Sequence, residues 1–252
     1  MPSSMRTVMQ LNNSGVCSLE KGDCESATNF LQGALLQLRS LLTENQTLPS
    51  TSKTDDFDDH EDGDAVPEIC LQSRRISSSS KLQGCCSPPQ NEDDSCPINI
   101  FDKAFVIKPA TMGSLSQSRP SACEHEVKIS SALLYNRGLS HHLNAVRLIS
   151  ATEFKKAKSH YKLALELLET DDSDQSQDDP CIWLLVFALM NNMAHIEANH
   201  HFNYAHTNRC IDWIRQAMDS LDSFFFSEED YFFFFVHYYV TPPAIFACSP
   251  AA

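Results

Sequence analysis

The sequence has little glycine and little positive charge, and both shortages exclude classes of protein. Only 7 of its 252 residues are glycine, against about 7% in an average protein. This argues against glycine-rich sandwiches and against nucleotide folds, whose phosphate-binding turns need several glycines. The 19 Lys and Arg residues are outnumbered by 33 Asp and Glu, giving a net charge of -14. Because such a chain repels phosphate backbones and anionic lipid, we expect no nucleic-acid partner and disfavour a membrane.

Catalytic and cofactor motifs are also missing from the sequence. It contains no Gly-x-Ser-x-Gly, no phosphate loop and no dinucleotide fingerprint. The ten cysteines are scattered, and residues 1–10 hold no long apolar run, so the pattern predicts reduced thiols and no secretory signal. We therefore expect a non-catalytic protein, without a cofactor or a bound metal, in the cytoplasm or the nucleus.

Most of the negative charge lies in two stretches between the apolar parts of the chain. Residues 45–100 hold 11 acidic residues and 4 basic ones, and residues 171–179 hold five acidic residues and no basic one. The first stretch is also rich in serine and poor in apolar residues, a composition typical of disorder. We predict a disordered acidic, Ser-rich linker over 46–97, a loop over 109–122 and an acidic loop over 171–179.

Apolar residues recur with a helical period in three parts of the chain. The pattern predicts three antiparallel helical hairpins, the first over 1–45, the second over 123–170 and the third over 180–223. Gly22 and Asp23 separate the two helices of the first hairpin, as turn and N-cap. The predicted fold class is therefore mainly α, an array of about three helical hairpins.

A short pattern recurs on the first helix of each hairpin. Residues 11–15 (LNNSG) correspond to 134–138 (LYNRG) and 190–194 (MNNMA), and they share an asparagine followed two residues later by glycine or alanine. Small and large packing residues recur with them at related spacings: Gly15, Ala27, Leu31, Ala34, Gly138, Ala157, Tyr161, Ala164 and Ala194. In this spacing the chain resembles the tetratricopeptide repeat, in divergent copies.

The resemblance implies an α–α superhelix in which small residues let paired helices cross closely. Its concave face, lined by the first helices, would bind an extended peptide or a partner helix. On that view Asn13, Asn136 and Asn192 lie in register along a groove, where their amides bond a peptide backbone. The alternative is that they satisfy local backbone groups. The expected function is a protein-protein interaction scaffold for a protein or peptide of unknown identity.

Two apolar segments outside the repeat have a β-like composition. The first is residues 98–108, and the second is the aromatic run 231–240 within the C-terminal segment 224–252. Because a lone exposed strand of this kind aggregates, we predict that the two pair as a short antiparallel ribbon packed on the array. An alternative makes residues 231–248 a membrane tail anchor and the protein a membrane-tethered adaptor.

Two further motifs suggest chemistry outside the repeat. Histidines concentrate in the third hairpin, which supports an alternative metal-binding or enzymatic protein, although His195 and His200 lack the i, i+4 spacing that places two ligands on one helix face. Arg74-Arg75-Ile76-Ser77 matches the pattern that basophilic kinases recognise and predicts phosphorylation of Ser77.

Overall fold

A computed structural model describes residues 3–47, 69–76, 99–109, 122–170, 179–221 and 226–240. It confirms a mainly α fold, to which a two-stranded antiparallel sheet is added. The helices and strands are α1 (Ser3–Glu20), α2 (Cys24–Thr47), β1 (Ile69–Arg75), β2 (Lys103–Pro109), α3 (Ala122–Leu148), α4 (Ala151–Glu169), α5 (Pro180–Ile196), α6 (Tyr204–Ser220) and α7 (Glu228–Phe235). Five-residue π-helical turns, Glu197–His201 and Val236–Val240, extend α5 and α7.

The six long helices form three hairpins that pack in chain order. Helix α1 packs on α2, α3 on α4 and α5 on α6, while α2 contacts α3 and α4 contacts α5. The first helix of each hairpin is followed by a residue with positive φ: Gly22 (78°), Ile149 (51°) and Phe202 (52°). A left-handed residue at this position ends a helix and reverses the chain within a few residues. The second helices therefore return alongside the first ones.

Two glycines let the paired helices approach closely. A Cβ atom at Gly15 would lie 2.8 Å from Leu31 Cγ, and one at Gly138 would lie 2.5 Å from Tyr161 Cε1. Both distances are shorter than real Cβ contacts, so the large side chain of the second helix occupies the space that the glycine leaves open. Other small and large residues of the recurring pattern are fully buried: Ala27, Leu31, Ala34, Ala157, Tyr161, Ala164 and Ala194.

The strand β1 lies inside the stretch that the composition assigns to a disordered linker, so the prediction of disorder is wrong for these residues. It pairs antiparallel with β2, with Leu71 opposite Ile107. Ile69 and Leu71 are buried, and the Ile76 N–H donates to the Asp102 carbonyl at 3.0 Å. Long-range pairing and two buried side chains order a segment whose own composition favours solvent. Residues 48–68, 77–98, 110–121 and 171–178 lie outside the described residues.

The predicted strand over 231–240 is wrong, because this segment is helical and β1 takes its place as the partner of β2. The Ser227 side chain caps α7 by accepting the Asp230 N–H at 3.1 Å. Three acidic residues stand in the first turn, where the partial positive charge of a helix N-terminus favours them. A capped, acidic helix start outweighs the β propensity of the aromatic residues behind it.

Candidate peptide-binding groove

The first helices of the three hairpins all contact one extended stretch of the same chain, residues 99–109, here called the strand segment. Its odd-numbered residues direct their backbone groups at side chains of α1, α3 and α5. Its even-numbered residues face β1, as the Ile76 to Asp102 bond shows, because backbone groups alternate between the two edges of a strand. The groove is the surface of α1, α3, α5 and α7 that contacts this segment.

The central hairpin holds Phe105 through a single asparagine side chain. Asn136 accepts the Phe105 N–H at Oδ1 (2.8 Å) and donates from Nδ2 to the Phe105 carbonyl (2.7 Å). Asn136 also donates to Asn12 Oδ1 at 2.9 Å, and Asn12 donates to the same Phe105 carbonyl at 3.0 Å. Both asparagines are fully buried. The amide thus replaces a neighbouring strand, supplying one donor and one acceptor to one residue.

The other two hairpins repeat this arrangement at other residues of the strand segment. Asn13 accepts the Ile107 N–H and donates to the Ile107 carbonyl, both at 3.0 Å. Asn192 accepts the Phe101 N–H at 2.8 Å and donates to the Phe101 carbonyl at 3.2 Å. Asn13, Asn136 and Asn192, here called the asparagine clamps, therefore bond the chain's own strand segment rather than local backbone groups. They bond a backbone that lies 31 to 94 residues away in the chain.

The residue before each clamp contacts the strand segment as well. Asn12 donates to the Phe105 carbonyl, the Tyr135 hydroxyl contacts the Lys103 and Phe101 carbonyls at 3.0 and 3.1 Å, and Asn191 donates to the Asn99 carbonyl at 2.9 Å. Each hairpin therefore binds alternate residues of the strand segment, one through the clamp and one or two earlier ones through the residue before it.

The clamps are unevenly spaced because the strand and the hairpins have different periods. The clamped residues are 107, 105 and 101. The six residue steps from 101 to 107 span about 20 Å at about 3.3 Å per residue, which matches two steps between packed helices at about 10 Å each. The backbone groups of a strand point to the same edge at every second residue, about 6.6 Å apart. Helices about 10 Å apart therefore meet clamped residues that are alternately two and four positions apart. The Tyr135 hydroxyl serves position 103, which has no clamp.

Helix α7 and the π-helical turn after it close the groove at the start of the strand segment. The Asn99 N–H donates to His237 Nε2 at 2.9 Å. A backbone N–H only donates, so Nε2 must be unprotonated, and burial lowers the pKa of His237 to about 4. The Tyr238 hydroxyl donates to Asn191 Oδ1 at 2.7 Å, which orients the amide that holds the Asn99 carbonyl.

The groove side chains form apolar contacts around the aromatic residues of the strand segment. The Phe101 ring lies 5.3 Å from that of Phe233 and 5.2 Å from that of Phe234, between ring centroids. The Phe105 ring meets Tyr135 edge to face at 5.1 Å. Phe101, Phe105 and Ile107 are at most 1% exposed, so the segment is part of the core. Burying three side chains of this size stabilises the contact by several kcal/mol.

One charged side chain of the strand segment is buried in the groove. Lys103 Nζ lies 2.8 Å from Asp230 Oδ1 and 3.2 Å from Glu229 Oε2, both on α7. The side chains of Lys103 and Asp230 are 9% and 3% exposed, whereas Glu229 is largely solvated. The Asp230 carboxylate is therefore the main partner of the ammonium group.

The histidine-rich region behind the groove is packed rather than open. His142 Nε2 lies 3.0 Å from His195 Nδ1, and His142 Nδ1 lies 3.3 Å from the Tyr161 hydroxyl. Burial lowers the pKa of His195 to about 3 and that of His142 well below its usual value. Within the part of the chain that the structure describes, no three His, Cys, Asp or Glu side chains are arranged to hold a metal ion.

The predicted phosphorylation site, Ser77, lies outside the described residues. The residues before it belong to the ribbon: Arg74 pairs with Glu20 at 3.1 Å and Arg75 with Glu229 at 3.5 Å. Both arginine side chains are largely exposed.

Several groove residues were not predicted, although some of them leave a signal in the sequence. Asn12, Tyr135 and Asn191 occupy equivalent positions of the three copies, each directly before a clamp, and two of the three are asparagine. The paired asparagines therefore indicate a second bonding position. Asp230 and His237 have no such signal, because α7 lies outside the repeat and contacts the groove only through the tertiary fold.

One described helix is long and apolar enough to cross a membrane, namely residues Pro180–His201, with a mean hydropathy of 1.4. In the structure 72% of its apolar window is buried inside the protein, as in a core helix between α4 and α6. Of the proposed tail anchor, residues 231–240 are helical and residues 241–248 lie outside the described residues.

No family model, curated protein or solved structure matches this chain.

Proposed function

We propose that this chain is a non-catalytic protein-protein interaction scaffold that binds extended peptides in the groove of a tetratricopeptide-like array. The observation that carries the proposal is the set of asparagine clamps, in which Asn13, Asn136 and Asn192 each bond both backbone groups of one strand residue. Bonding to a backbone suits any extended peptide whose side chains fit the walls. Peptide binding in other proteins uses main-chain hydrogen bonds for affinity and side-chain pockets for specificity in the same way.

The chain's own strand segment occupies the groove, so a partner binds by strand exchange. A tethered segment has an effective concentration on the order of millimolar. A peptide with identical contacts, supplied at about 10 µM, is therefore disfavoured by roughly 100-fold. Partners compete only when they fit better than the strand segment, or when that segment is weakened. Self-occupancy makes the scaffold selective, and it covers apolar walls that would otherwise be exposed.

The test weakens binding of the tethered strand segment by about as much as its tether favours it over a free peptide. Changing Phe105 to Ala in the full chain removes a buried aromatic side chain at a cost of about 3 kcal/mol, equivalent to roughly 100-fold. A fluorescein-labelled peptide with the sequence of residues 98–109 retains the phenylalanine. We expect it to bind the Phe105→Ala chain at micromolar concentrations and the wild-type chain about 100-fold more weakly, as measured by fluorescence anisotropy.

Two controls distinguish binding in the groove from nonspecific binding of the peptide. A scrambled peptide of the same composition should not bind, and the matched peptide methylated on the Phe105 backbone nitrogen should bind much more weakly because Asn136 loses its donor. If the native peptide binds the Phe105→Ala chain no better than the scrambled one, the groove does not accept a strand in trans and the proposal is wrong.

A further inference from the structure

The groove contains one acidic position inside apolar walls. Asp230 is almost fully buried and lies 2.8 Å from the Lys103 ammonium group. On the same side of the strand segment, the residues two places before and after Lys103 are Phe101 and Phe105, both fully buried against aromatic rings. A buried lysine is rare unless it is paired. The carboxylate is therefore the feature that makes this position suitable for a cation.

The position of the Asp230 carboxylate is fixed by groups other than Lys103. The Ser227 hydroxyl donates to Asp230 Oδ2 at 2.6 Å, and the Ser73 hydroxyl lies 3.4 Å from the same oxygen. The Asp230 N–H in turn bonds the Ser227 side chain at 3.1 Å, a reciprocal arrangement that holds the first turn of α7 in place. The Oδ1 atom is left directed at the strand segment. The acid is preorganised for the cation, so little ordering is needed when a strand arrives.

From this geometry we infer that the groove selects extended peptides with a lysine between two aromatic residues, each two positions away, and that Asp230 is the specificity-determining residue. The inference rests on the proposed function. A neutral or acidic side chain at the central position would leave Asp230 buried without a counter-charge, which disfavours such peptides strongly. The arrangement also fixes register, because a strand displaced by two residues would place an apolar side chain against the carboxylate.

The strand segment supplies its own matched control. Lys108 has the same charge as Lys103 but is exposed, and its ammonium group bonds Gln72 of β1. A peptide with Glu at position 103 and a peptide with Glu at position 108 therefore have the same net charge and differ only in which lysine is reversed. Any difference between them reports the buried acid rather than the overall charge.

The experiment measures anisotropy of three labelled peptides of residues 98–109 with the full-length Phe105→Ala chain: native, Lys103→Glu and Lys108→Glu. We expect the Lys103→Glu peptide to bind at least about 30-fold more weakly than the native one. The Lys108→Glu peptide should bind within about 3-fold of the native one, as an exposed charge does. Adding Asp230→Asn to the chain should narrow the difference between the first two peptides.

A second receptor covers the case in which Phe105→Ala does not fold. The full-length Lys103→Met chain keeps its aromatic residues but leaves Asp230 without its main partner, so the native peptide has an advantage over the tethered strand. Equal binding of all three peptides would overturn the selectivity for lysine and leave peptide binding standing. Failure of every peptide to bind either receptor would overturn both the selectivity and the proposed function.

Discussion

Two aromatic segments meet at one end of the groove, one as a strand and the other as a helix. Residues 99–109 are extended, and the Phe101 ring packs against those of Phe233 and Phe234 of α7. Both segments are rich in residues that favour strands. The difference between them therefore comes from where their backbone hydrogen bonds go.

The strand segment finds its hydrogen-bond partners entirely outside itself. Odd residues bond the asparagine clamps and the residues before them, and even residues bond β1. Helix α7 finds its partners within itself, starting from the Ser227 cap. Its rings stack at i, i+4, as in Tyr231 on Phe235 (5.9 Å) and Phe235 on Tyr239 (5.5 Å). Segments of similar propensity thus take the conformation for which backbone partners are available.

The largest loss of stability should come from removing one of the asparagine clamps that hold the strand segment. Asn136→Ala leaves the Phe105 N–H and Asn12 Oδ1 buried without partners, and each such group costs about 1–3 kcal/mol. We expect the free energy of unfolding in urea to fall by about 3–4 kcal/mol. Asn144→Ala on the same helix, which removes only an exposed bond to Arg147, should cost less than about 0.5 kcal/mol. Similar losses for the two variants would contradict the clamp.

The next effect should come from the ion pair that joins the strand to the helix. Asp230→Ala removes the main partner of Lys103, and breaking a buried pair costs about 3–5 kcal/mol. Glu229 stays within reach of the ammonium group, so we expect a loss nearer to 2–3 kcal/mol by urea denaturation. Lys103→Met in the Asp230→Ala background should recover part of the loss, because no buried charge is then unpaired. No recovery would show that Asp230 stabilises only α7.

The sequence alone predicts some of these contacts and elements better than others. The three hairpins and the asparagines are visible because they follow a helical period and recur in each copy. The strand β1 is not, since only Ile69 and Leu71 alternate within a serine-rich, acidic stretch. That the clamps hold the chain's own backbone is a long-range property, since Asn13 and Ile107 are 94 positions apart in the sequence. The helical state of α7 could have been inferred from Ser227 and the three acidic residues after it, a start signal that outweighs aromatic composition.

Acidification should weaken the contact between the start of the strand segment and the turn after α7. Burial lowers the pKa of His237 to about 4 in the folded protein, while the unfolded value is about 6.5. The unfolded state thus binds the proton more readily, so stability is lost as the pH falls from about 6.5 towards 4. Between pH 7 and 4.5 we expect wild type to lose about 2 kcal/mol more than His237→Gln, which still accepts the Asn99 N–H. The other buried histidines titrate in both proteins, so they do not contribute to the difference. If the free energy of unfolding depends on pH in the same way in both proteins, the role given to His237 is wrong.

The smallest loss of stability should come from removing the N-terminal cap of helix α7. Ser227→Ala removes the side-chain cap of α7 and should lower the free energy of unfolding by about 1 kcal/mol. Ser227→Thr, whose hydroxyl can still accept the Asp230 N–H and donate to Asp230 Oδ2, should retain most of the stability in the same thermal or urea titration. If both variants behave alike, the aromatic contacts alone determine that α7 is a helix.

Hydrogen exchange at the backbone amides of Phe101, Phe105 and Ile107 tests the clamped strand most directly. In wild type these three amides should be protected as strongly as those in the core of α3, because each donates to an asparagine side chain in the groove. In Asn136→Ala the Phe105 amide should exchange markedly faster than that of Val106, which faces β1. If these three amides exchange like solvent-exposed groups while Val106 is protected, the ribbon forms without the groove and the account is contradicted.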